Sequence, residues 1–154
     1  MIRVLFVCLG NICRSPMAEF IFKDIVNKKG LSDKFEIKSA ATSYGEIGND
    51  IYYGAKDKLI QENIPFNKRK ATRLTPEDYN NYNFIIGMDD SNIRNIKKIV
   101  GEDVDNKISK LLDYSDISRD IADPWYTGDF EIAYNDIVAG CNCFIKYLEE
   151  KKYI

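Results

Sequence analysis

Two residues with chemical reactivity stand close together near the start of the chain. Cys8 follows an apolar run, and Arg14 comes after the intervening residues 9–13. A cysteine thiolate is a nucleophile, and the planar guanidinium of arginine can bind two oxygens of a phosphate group. The backbone N–H groups of a loop that leads into a helix also favour an anion. This spacing therefore predicts a loop that holds a tetrahedral oxyanion in front of a thiolate.

The cysteine and the arginine alone also allow a plain structural interpretation, in which Cys8 is buried and Arg14 forms a surface ion pair. Their neighbours favour the anion-binding loop instead. Gly10 is expected to turn the backbone through conformations that other residues avoid, and Ser15 and Pro16 are suited to cap and begin a helix. The predicted phosphate-binding segment consists of consecutive residues: Leu9, Gly10, Asn11, Ile12, Cys13, Arg14 and Ser15.

The sequence contains no histidine. This absence excludes catalysis by Ser-His-Asp and Cys-His groups, and it excludes zinc sites with histidine ligands. A carboxylate, lysine, tyrosine, cysteine or water must therefore transfer any proton. The acidic residues Asp103 and Asp105 follow no buried strand, and Lys107 is incompatible with a calcium loop. We expect neither a metal nor another cofactor.

Short apolar segments alternate with helical patterns along the chain. Four strands are predicted, over residues 2–7, 35–41, 83–88 and 107–112. Helices are predicted over residues 16–28, 52–63, 91–100 and 130–148, with one more that starts at Thr75 as its N-cap. A long loop, 113–129, precedes the last helix.

This alternation predicts an α/β fold with three layers: a doubly wound sheet of four parallel strands with helices on both faces, similar to flavodoxin. The length of 154 residues is enough for one domain, 1–154. In such a sheet, ligands bind outside the carboxyl ends of the strands. Cys8 directly follows the first predicted strand, so the reactive loop lies where this architecture has its ligand site.

Composition and charge argue against several kinds of partner. The formal net charge of -2 gives no attraction for nucleic acid or for an anionic membrane. The run Lys68, Arg69 and Lys70 is interpreted as a solvated turn, and no apolar stretch reaches the ~20 residues of a membrane span. The first residues lead directly into a strand, and the cysteines do not form a secreted disulfide pattern. We therefore expect a cytoplasmic location. We also expect Cys141 to lie in the hydrophobic core.

Four motifs resemble those of one family, the low-molecular-weight protein tyrosine phosphatases. They are VCLGNICRSPMAE from Val7, SAATS from Ser39, MDDSN from Met88 and DPWYTGDFE from Asp123, and they occur in the family's order. The resemblance implies hydrolysis of phosphotyrosine in proteins and peptides through a phosphocysteine, without a metal. Inorganic phosphate is then both the product and an inhibitor. A monomer is expected, with a weak dimer as the alternative.

The resemblance also implies three catalytic roles. Cys8 is the nucleophile, Arg14 binds the phosphoryl oxygens, and Asp123 acts first as general acid and then as general base. The residues alone do not single out Asp123, because it is one of several acidic residues in the segment DYSDISRDIADP. Pro124 favours it, since a proline stiffens the segment that carries the carboxylate.

Four further residues have supporting roles by the same resemblance. Ser15 donates a hydrogen bond to the Cys8 sulfur, and Asn11 and Ser39 form a pair that supports the shape of the loop. Cys13 is implied to form a disulfide with an oxidised Cys8. Three of the four have a simpler alternative: Ser15 as a helix cap, Ser39 as a polar group at a strand end, and Cys13 as packing beneath the loop.

The rim of the site is expected to select a deep aromatic substrate. The resemblance puts Tyr44, Trp125 and Tyr126 where they flank a phenyl ring, and Ile12 adds an apolar wall. A protein-arginine phosphatase of the same fold is an alternative. Those enzymes have a threonine at the position of Ile12, and the apolar Ile12 side chain cannot form a hydrogen bond with a guanidinium. An arsenate reductase needs shuttle cysteines, and residues 55–121 contain none. A non-catalytic phosphate-binding module is the remaining alternative.

Overall fold

The computed structural model describes residues 1–154. One sheet of four parallel strands has the order β2-β1-β3-β4, and it consists of β1 (Ile2–Cys8), β2 (Phe35–Ala41), β3 (Phe84–Gly87) and β4 (Ile108–Lys110). The helices are α1 (Arg14–Lys28), α2 (Tyr53–Gln61), α3 (Asp78–Asn81), α4 (Asp90–Val100), α5 (Pro124–Thr127) and α6 (Phe130–Glu150). Two short 3₁₀ helices cover Ser32–Lys34 and Leu111–Tyr114. The predicted α/β fold is confirmed.

Alternate residues of β1 face two separate cores. Val4 and Phe6 pack with α1, α2 and α6 in a cluster of 25 buried residues, whereas Leu5 and Val7 pack in a cluster of 7 on the other face, with Tyr79 and the α4 side. A strand that is buried on both faces needs an unbroken apolar run rather than an alternating pattern. This explains why β1 is continuously apolar from Val4 to Cys8, and it agrees with the interior position of β1 in the sheet. None of the helices has the length and apolar character needed to cross a bilayer.

The start of α1 differs from the prediction. The helix begins at Arg14 with Cys13 as N-cap, and no side chain caps it. Ser15 and Pro16 are therefore its second and third residues rather than the cap and the first residue. The Ser15 hydroxyl is unavailable for capping because it bonds to Cys8 and Asn11.

The predicted boundaries after mid-chain are also corrected. Thr75 does not cap a helix: α3 begins only at Asp78, and the backbone N–H of Thr75 donates to the Asp78 carboxylate at 2.8 Å. Strand β4 spans Ile108–Lys110, shorter than 107–112, because the chain turns into the 3₁₀ helix Leu111–Tyr114. The predicted loop 113–129 contains α5, which is capped by Asp123 and ends at Gly128 with a φ of 74°.

Candidate active site

The segment between Cys8 and Arg14 bends around the end of β1. Asn11 has a φ of 60°, in the left-handed region, whereas Gly10 has an ordinary negative φ. The sequence assigned the unusual backbone conformation to Gly10, and this is corrected here. Asparagine tolerates the left-handed region better than most residues, and here its side chain is held from several directions. The turn of the loop therefore depends on Asn11.

The Cys8 sulfur receives two hydrogen bonds from its own loop and helix. The backbone N–H of Asn11 donates to Sγ at 3.3 Å, and Ser15 Oγ lies 3.0 Å from the same sulfur. Asn11 Nδ2 donates to Ser15 Oγ at 2.7 Å, so the single hydroxyl hydrogen of Ser15 is free to point at Cys8. This arrangement stabilises a thiolate at a buried position.

The second amide hydrogen of Asn11 points away from the sulfur and forms a hydrogen bond with Ser39. Asn11 Nδ2 donates to Ser39 Oγ at 2.9 Å, and Ser39 Oγ donates to Glu19 Oε1 at 2.6 Å. Asn11 Oδ1 accepts from the backbone N–H of Thr72 at 3.2 Å. Because a carboxylate only accepts hydrogen bonds, Ser39 must donate to Glu19 and accept from Asn11 Nδ2. The other hydrogen of Nδ2 then goes to Ser15, and the Ser15 hydroxyl donates to the Cys8 sulfur. Every polar atom of the Asn11 side chain is thus used.

Arg14 is a fully buried guanidinium between two carboxylates. Nη1 donates to Asp89 Oδ2 at 2.7 Å and to the carbonyl of Ile121 at 2.8 Å, and Nη2 donates to Asp123 Oδ2 at 3.3 Å. Burial alone lowers the pKa of Arg14, but the negative charges of Cys8 and Asp123 and the bond with Asp89 outweigh it and raise the pKa. The charge is therefore permanent.

One polar atom of the Arg14 guanidinium has no partner: Nε is buried and makes no hydrogen bond. An unpaired buried donor is costly, and such an atom at a candidate anion site is a position for a ligand oxygen. Cys8, Arg14 and Asp123 line one cavity of about 180 Å³. The other residues that line this cavity are Leu9, Gly10, Ile12, Cys13, Ser43, Gly45, Glu46, Trp125 and Tyr126.

Asp123 reaches the cavity from the opposite side of the sheet edge. Its Oδ1 accepts from the backbone N–H of Trp125 at 3.1 Å and caps α5, while Oδ2 meets Arg14. Pro124 occupies the first position of this short helix, where its missing N–H costs nothing. The helix start therefore holds the carboxylate beside the phosphate loop.

The rim contains three of the predicted residues but not the fourth. Ile12, Trp125 and Tyr126 line the cavity, and both aromatic residues are at least half exposed. Tyr44 does not line it: the Tyr44 ring packs against the Arg73 guanidinium, 4.0 Å from the ring centroid. The attraction of the cation for the ring face explains the correction. Glu46 lies in the cavity wall nearby, and nothing in the sequence pointed to it.

Cys13 is a buried residue of the loop itself, at the start of α1. Burial, followed by the negative charge of Cys8, raises the pKa of the Cys13 thiol to about 12. Its thiol is thus protonated at neutral pH. Of the remaining cysteines, Cys141 is fully buried as predicted, and Cys143 is partly exposed on the same helix.

The sequence did not predict three residues that support the loop. Asp89 and Glu19 lie inside the quoted motifs, yet only the folded chain brings them to Arg14 and Ser39. Arg69 was interpreted as part of a solvated turn, and this is wrong: its guanidinium donates to the carbonyl of Asn11, and to that of Asn49 at 3.2 Å. The loop carbonyl attracts Arg69 inward, while Lys68 and Lys70 stay exposed. The capping-box pattern of Asp89 and Asn92 was the one available signal.

The site contains no set of metal ligands. No group of three or more histidine, cysteine, aspartate or glutamate side chains is arranged to hold a metal ion. Asp103, which was rejected as a metal ligand from the sequence, accepts hydrogen bonds from the Tyr79 hydroxyl at 2.6 Å and from the backbone N–H of Lys107 at 2.8 Å. Asp103 therefore organises the turn before β4.

Comparison with known proteins gives one consistent result. The low molecular weight protein-tyrosine-phosphatase YfkJ of Bacillus subtilis is 41% identical over 156 residues, which covers 100% of both chains. The low molecular weight protein-tyrosine-phosphatase PtpA of Staphylococcus epidermidis is 36% identical and covers 96% of this chain and 94% of its own length. The crystal structure of YfkJ superposes with a TM-score of 0.95, over 99% of this chain and 97% of that chain.

A structure with a different substrate in its name is also similar. The Drosophila arginine phosphatase superposes with a TM-score of 0.85 at 29% identity, over 94% of this chain and 96% of that chain. The family model of the low molecular weight phosphotyrosine protein phosphatases matches residues 3–153. Because the match spans the chain and the relatives align from end to end, this protein belongs to the low molecular weight phosphotyrosine protein phosphatase family.

Proposed function

We propose that this chain hydrolyses phosphotyrosine in proteins through a phosphocysteine intermediate. The observation that carries the proposal is the shared cavity of Cys8, Arg14 and Asp123, in which the Arg14 Nε is buried without a partner. A phosphoryl oxygen supplies the missing acceptor for Nε, and the phosphorus atom then lies in front of the thiolate. Trp125 and Tyr126 at the mouth suit the flat faces of a phenyl ring.

In the first half of the reaction the Cys8 thiolate attacks phosphorus. The S–P bond forms, the bond between phosphorus and the phenolic oxygen breaks, and protonated Asp123 gives its proton to the departing phenolate. Arg14 and the loop N–H groups bind the equatorial oxygens, so that the developing charge is met by fixed donors. A phenol has a pKa near 10, and the leaving oxygen therefore gains much from this proton.

In the second half, water hydrolyses the phosphocysteine. Asp123, now a carboxylate, takes a proton from the water as its oxygen bonds to phosphorus, and the S–P bond breaks. The sulfur leaves as a thiolate that accepts the Ser15 hydroxyl hydrogen, with the two heavy atoms 3.0 Å apart in the free protein. Inorganic phosphate is the product and, by occupying the same loop, a competitive inhibitor. A monomeric state belongs to this proposal, and the cytoplasmic location stays a prediction.

Phosphoarginine is the second candidate substrate. The Glu46 carboxylate in the cavity wall is an acceptor that a guanidinium can use, and one structural relative is named an arginine phosphatase. The apolar Ile12 opposes this, because it leaves part of a guanidinium without a partner. We therefore rank phosphotyrosine first.

A substrate profile tests the proposal. Peptides that carry phosphotyrosine, phosphoserine or phosphoarginine are assayed with the wild type and with Cys8→Ser, and phosphate binding is measured by calorimetry. We expect turnover of the phosphotyrosine peptide by the wild type and none by Cys8→Ser, which still binds phosphate through Arg14 and the loop amides. Turnover of all peptides by Cys8→Ser at the wild-type rate removes Cys8 as nucleophile. Binding without turnover in the wild type identifies a non-catalytic module.

The role of Asp123 is tested by a series of aryl phosphates whose leaving phenols differ in basicity. We expect Asp123→Asn to lose about 100-fold or more in kcat/KM on phenyl phosphate and far less on 2,4-dinitrophenyl phosphate. A good leaving group needs no proton, whereas a basic one does. Equal losses across the series assign Asp123 a different role.

A further inference from the structure

Tyr52 is joined to the phosphate loop through both its backbone and its ring. Its backbone N–H donates to the carbonyl of Ile12 at 2.9 Å. The partly buried Tyr52 ring packs against the small cluster of Ile12, Cys13 and Ala71. Because Ile12 and Cys13 are loop residues, Tyr52 has a fixed position relative to Cys8.

The same ring meets the helix that carries the proposed general acid. The centroids of Tyr52 and Trp125 are 4.8 Å apart with an interplanar angle of 68°, an edge-to-face pair. Trp125 pairs with no other aromatic ring. Its backbone N–H is the donor that holds Asp123 Oδ1 at 3.1 Å. The orientation of Trp125 and that of the carboxylate are therefore linked.

Helix α5 is anchored at its first residue, the buried Pro124, whereas its next two side chains are largely exposed. It consists of four residues, and the side chains of Trp125 and Tyr126 are 50% and 75% exposed. The ion pair between Asp123 and Arg14, at 3.3 Å, is with the very group that phosphate engages. The contact between Tyr52 and Trp125 does not involve Arg14, so a substrate that binds to Arg14 leaves this contact in place.

The Tyr52 ring also contacts Phe130, and its nearest aromatic neighbour is Tyr53, with the ring centroids 4.4 Å apart. The Tyr52 and Phe130 rings are stacked with centroids 5.9 Å apart and an interplanar angle of 20°. Phe130 in turn has no room to retreat, since a Cβ atom on Gly54 would lie 2.7 Å from two atoms of its ring. Tyr52 is thus in contact with both the first residue of α6 and Trp125.

We propose that Tyr52 is a positioning residue, which sets the distance and angle between the general acid Asp123 and the nucleophile Cys8 through its contacts with Trp125 and Ile12. This inference rests on the role of Asp123 in the proposed function. The ring makes these contacts, so the hydroxyl is dispensable. Tyr52 touches neither substrate nor the reacting atoms.

The test compares Tyr52→Ala and Tyr52→Phe over the aryl phosphate series. For Tyr52→Ala we expect kcat/KM to fall about 10- to 100-fold on phenyl phosphate, as for a misplaced catalytic group, and little on 2,4-dinitrophenyl phosphate. Tyr52→Phe retains wild-type values on both substrates, and the inhibition constant of phosphate is unchanged in both variants. Tyr153→Ala, which removes a tyrosine that is also paired with a phenylalanine but lies outside the cavity lining, is the control and retains wild-type activity.

Two further variants make the outcome decisive. In the Asp123→Asn background, Tyr52→Ala adds no loss on phenyl phosphate, because the group that it positions is already absent. Gly54→Ala places a methyl group that overlaps the Phe130 ring, so this ring must shift, and we expect the same dependence on leaving group in weaker form. This variant also serves if Tyr52→Ala does not fold.

The outcomes separate the two proposals. If Asp123→Asn itself loses equally on all substrates, the proposed acid role fails. If Asp123→Asn depends on the leaving group but Tyr52→Ala and Gly54→Ala do not, the positioning role is overturned. A rise in the phosphate inhibition constant as large as the fall in kcat/KM also overturns it, since Tyr52 then supports only the phosphate loop.

Discussion

Ile12 determines the chemistry of one wall of the cavity. Its side chain is 8% exposed and packs with Cys13 and Ala71, so its apolar surface is a fixed part of the loop. A phenyl ring gains from contact with such a wall, whereas a guanidinium loses hydrogen-bonding partners there. We therefore propose that this side chain sets the preference for phosphotyrosine over phosphoarginine.

We expect Ile12→Thr to raise kcat/KM for a phosphoarginine peptide relative to a phosphotyrosine peptide by about tenfold, the effect of one added hydrogen bond. The matched control is Ile12→Val, which has the shape of threonine without the hydroxyl and leaves the ratio near that of the wild type. The ratio of the two specificity constants is measured with peptides of one sequence. An unchanged ratio in Ile12→Thr means that Ile12 does not discriminate between the substrates.

Cys13 links the loop to oxidation chemistry. Its pKa of about 12 is caused mainly by burial and next by the Cys8 charge. When peroxide converts Cys8 to a sulfenic acid, that negative charge disappears, and the pKa of Cys13 falls. We propose that the Cys13 thiolate then attacks the Cys8 sulfur: the S–S bond forms, the S–O bond breaks, and hydroxide leaves and takes a proton from solvent, so that the disulfide stops further oxidation.

We expect peroxide to inactivate the wild type reversibly and Cys13→Ser permanently at the same dose. Recovery is measured with a thiol reductant, without phosphate during oxidation because phosphate shields the loop. Protection of the wild type increases as the pH rises, since more Cys13 is then deprotonated. Cys143→Ser, a remote and partly exposed cysteine, behaves as the wild type. Equal recovery of wild type and Cys13→Ser limits Cys13 to a packing role.

At the scale of elements, α6 fixes both ends of the segment that carries Asp123. The segment begins after the 3₁₀ helix Leu111–Tyr114, and Leu111 packs directly on Gly140 of α6. It ends where α6 starts at Phe130. A Cβ atom on Gly140 would lie 2.5 Å from Leu111 Cγ, too close for the two elements to keep their distance. The glycine thus sets how closely the 3₁₀ helix approaches α6.

We expect Gly140→Ala to lower the free energy of unfolding by about 1–3 kcal/mol through this overlap. In a Leu111→Ala background the clash is absent, so the same change becomes stabilising by up to about 1 kcal/mol, the gain in helix propensity. Urea unfolding of the four proteins measures both values. Equal effects of Gly140→Ala in the two backgrounds contradict the proposed contact.

At the scale of the whole molecule, the oxyanion site joins distant parts of the chain. Arg14 at the start of α1 meets Asp89 before α4 and Asp123 before α5, and the loop carbonyl of Asn11 meets Arg69. An anion bound at Arg14 therefore contacts a region to which several elements contribute. A ligand of the native state stabilises it by mass action.

We expect phosphate at about 100 times its dissociation constant to stabilise the wild type by about 2.7 kcal/mol, which raises Tm by about 5–10 °C. Cys8→Ser retains this shift, and Arg14→Met loses it. Scanning calorimetry with sodium chloride at matched ionic strength separates binding from general salt effects. A shift of the same size in Arg14→Met shows that phosphate acts elsewhere.

Much of this protein is determined by local sequence. The apolar run of β1 and the alternation of strands and helices each depend on neighbouring residues, and the fold that they predict was predicted correctly. Element ends were less predictable, because residues such as Ser15 use their hydroxyls for tertiary contacts instead of caps.

The surroundings of the loop were decided only by tertiary structure. Asp89 and Asp123 meet Arg14 across 75 and 109 residues of sequence, and Arg69 meets Asn11 across 58. No local pattern marks such contacts, since an acidic or basic residue in a polar segment is usually solvated. Tyr52, the residue before α2, is partly buried, whereas its neighbour Tyr53, the first residue of α2, is exposed, and nothing in the sequence distinguishes the two tyrosines. The sequence by itself therefore determined the reactive groups and the sheet edge that carries them, whereas packing determined which charges and rings hold them in register.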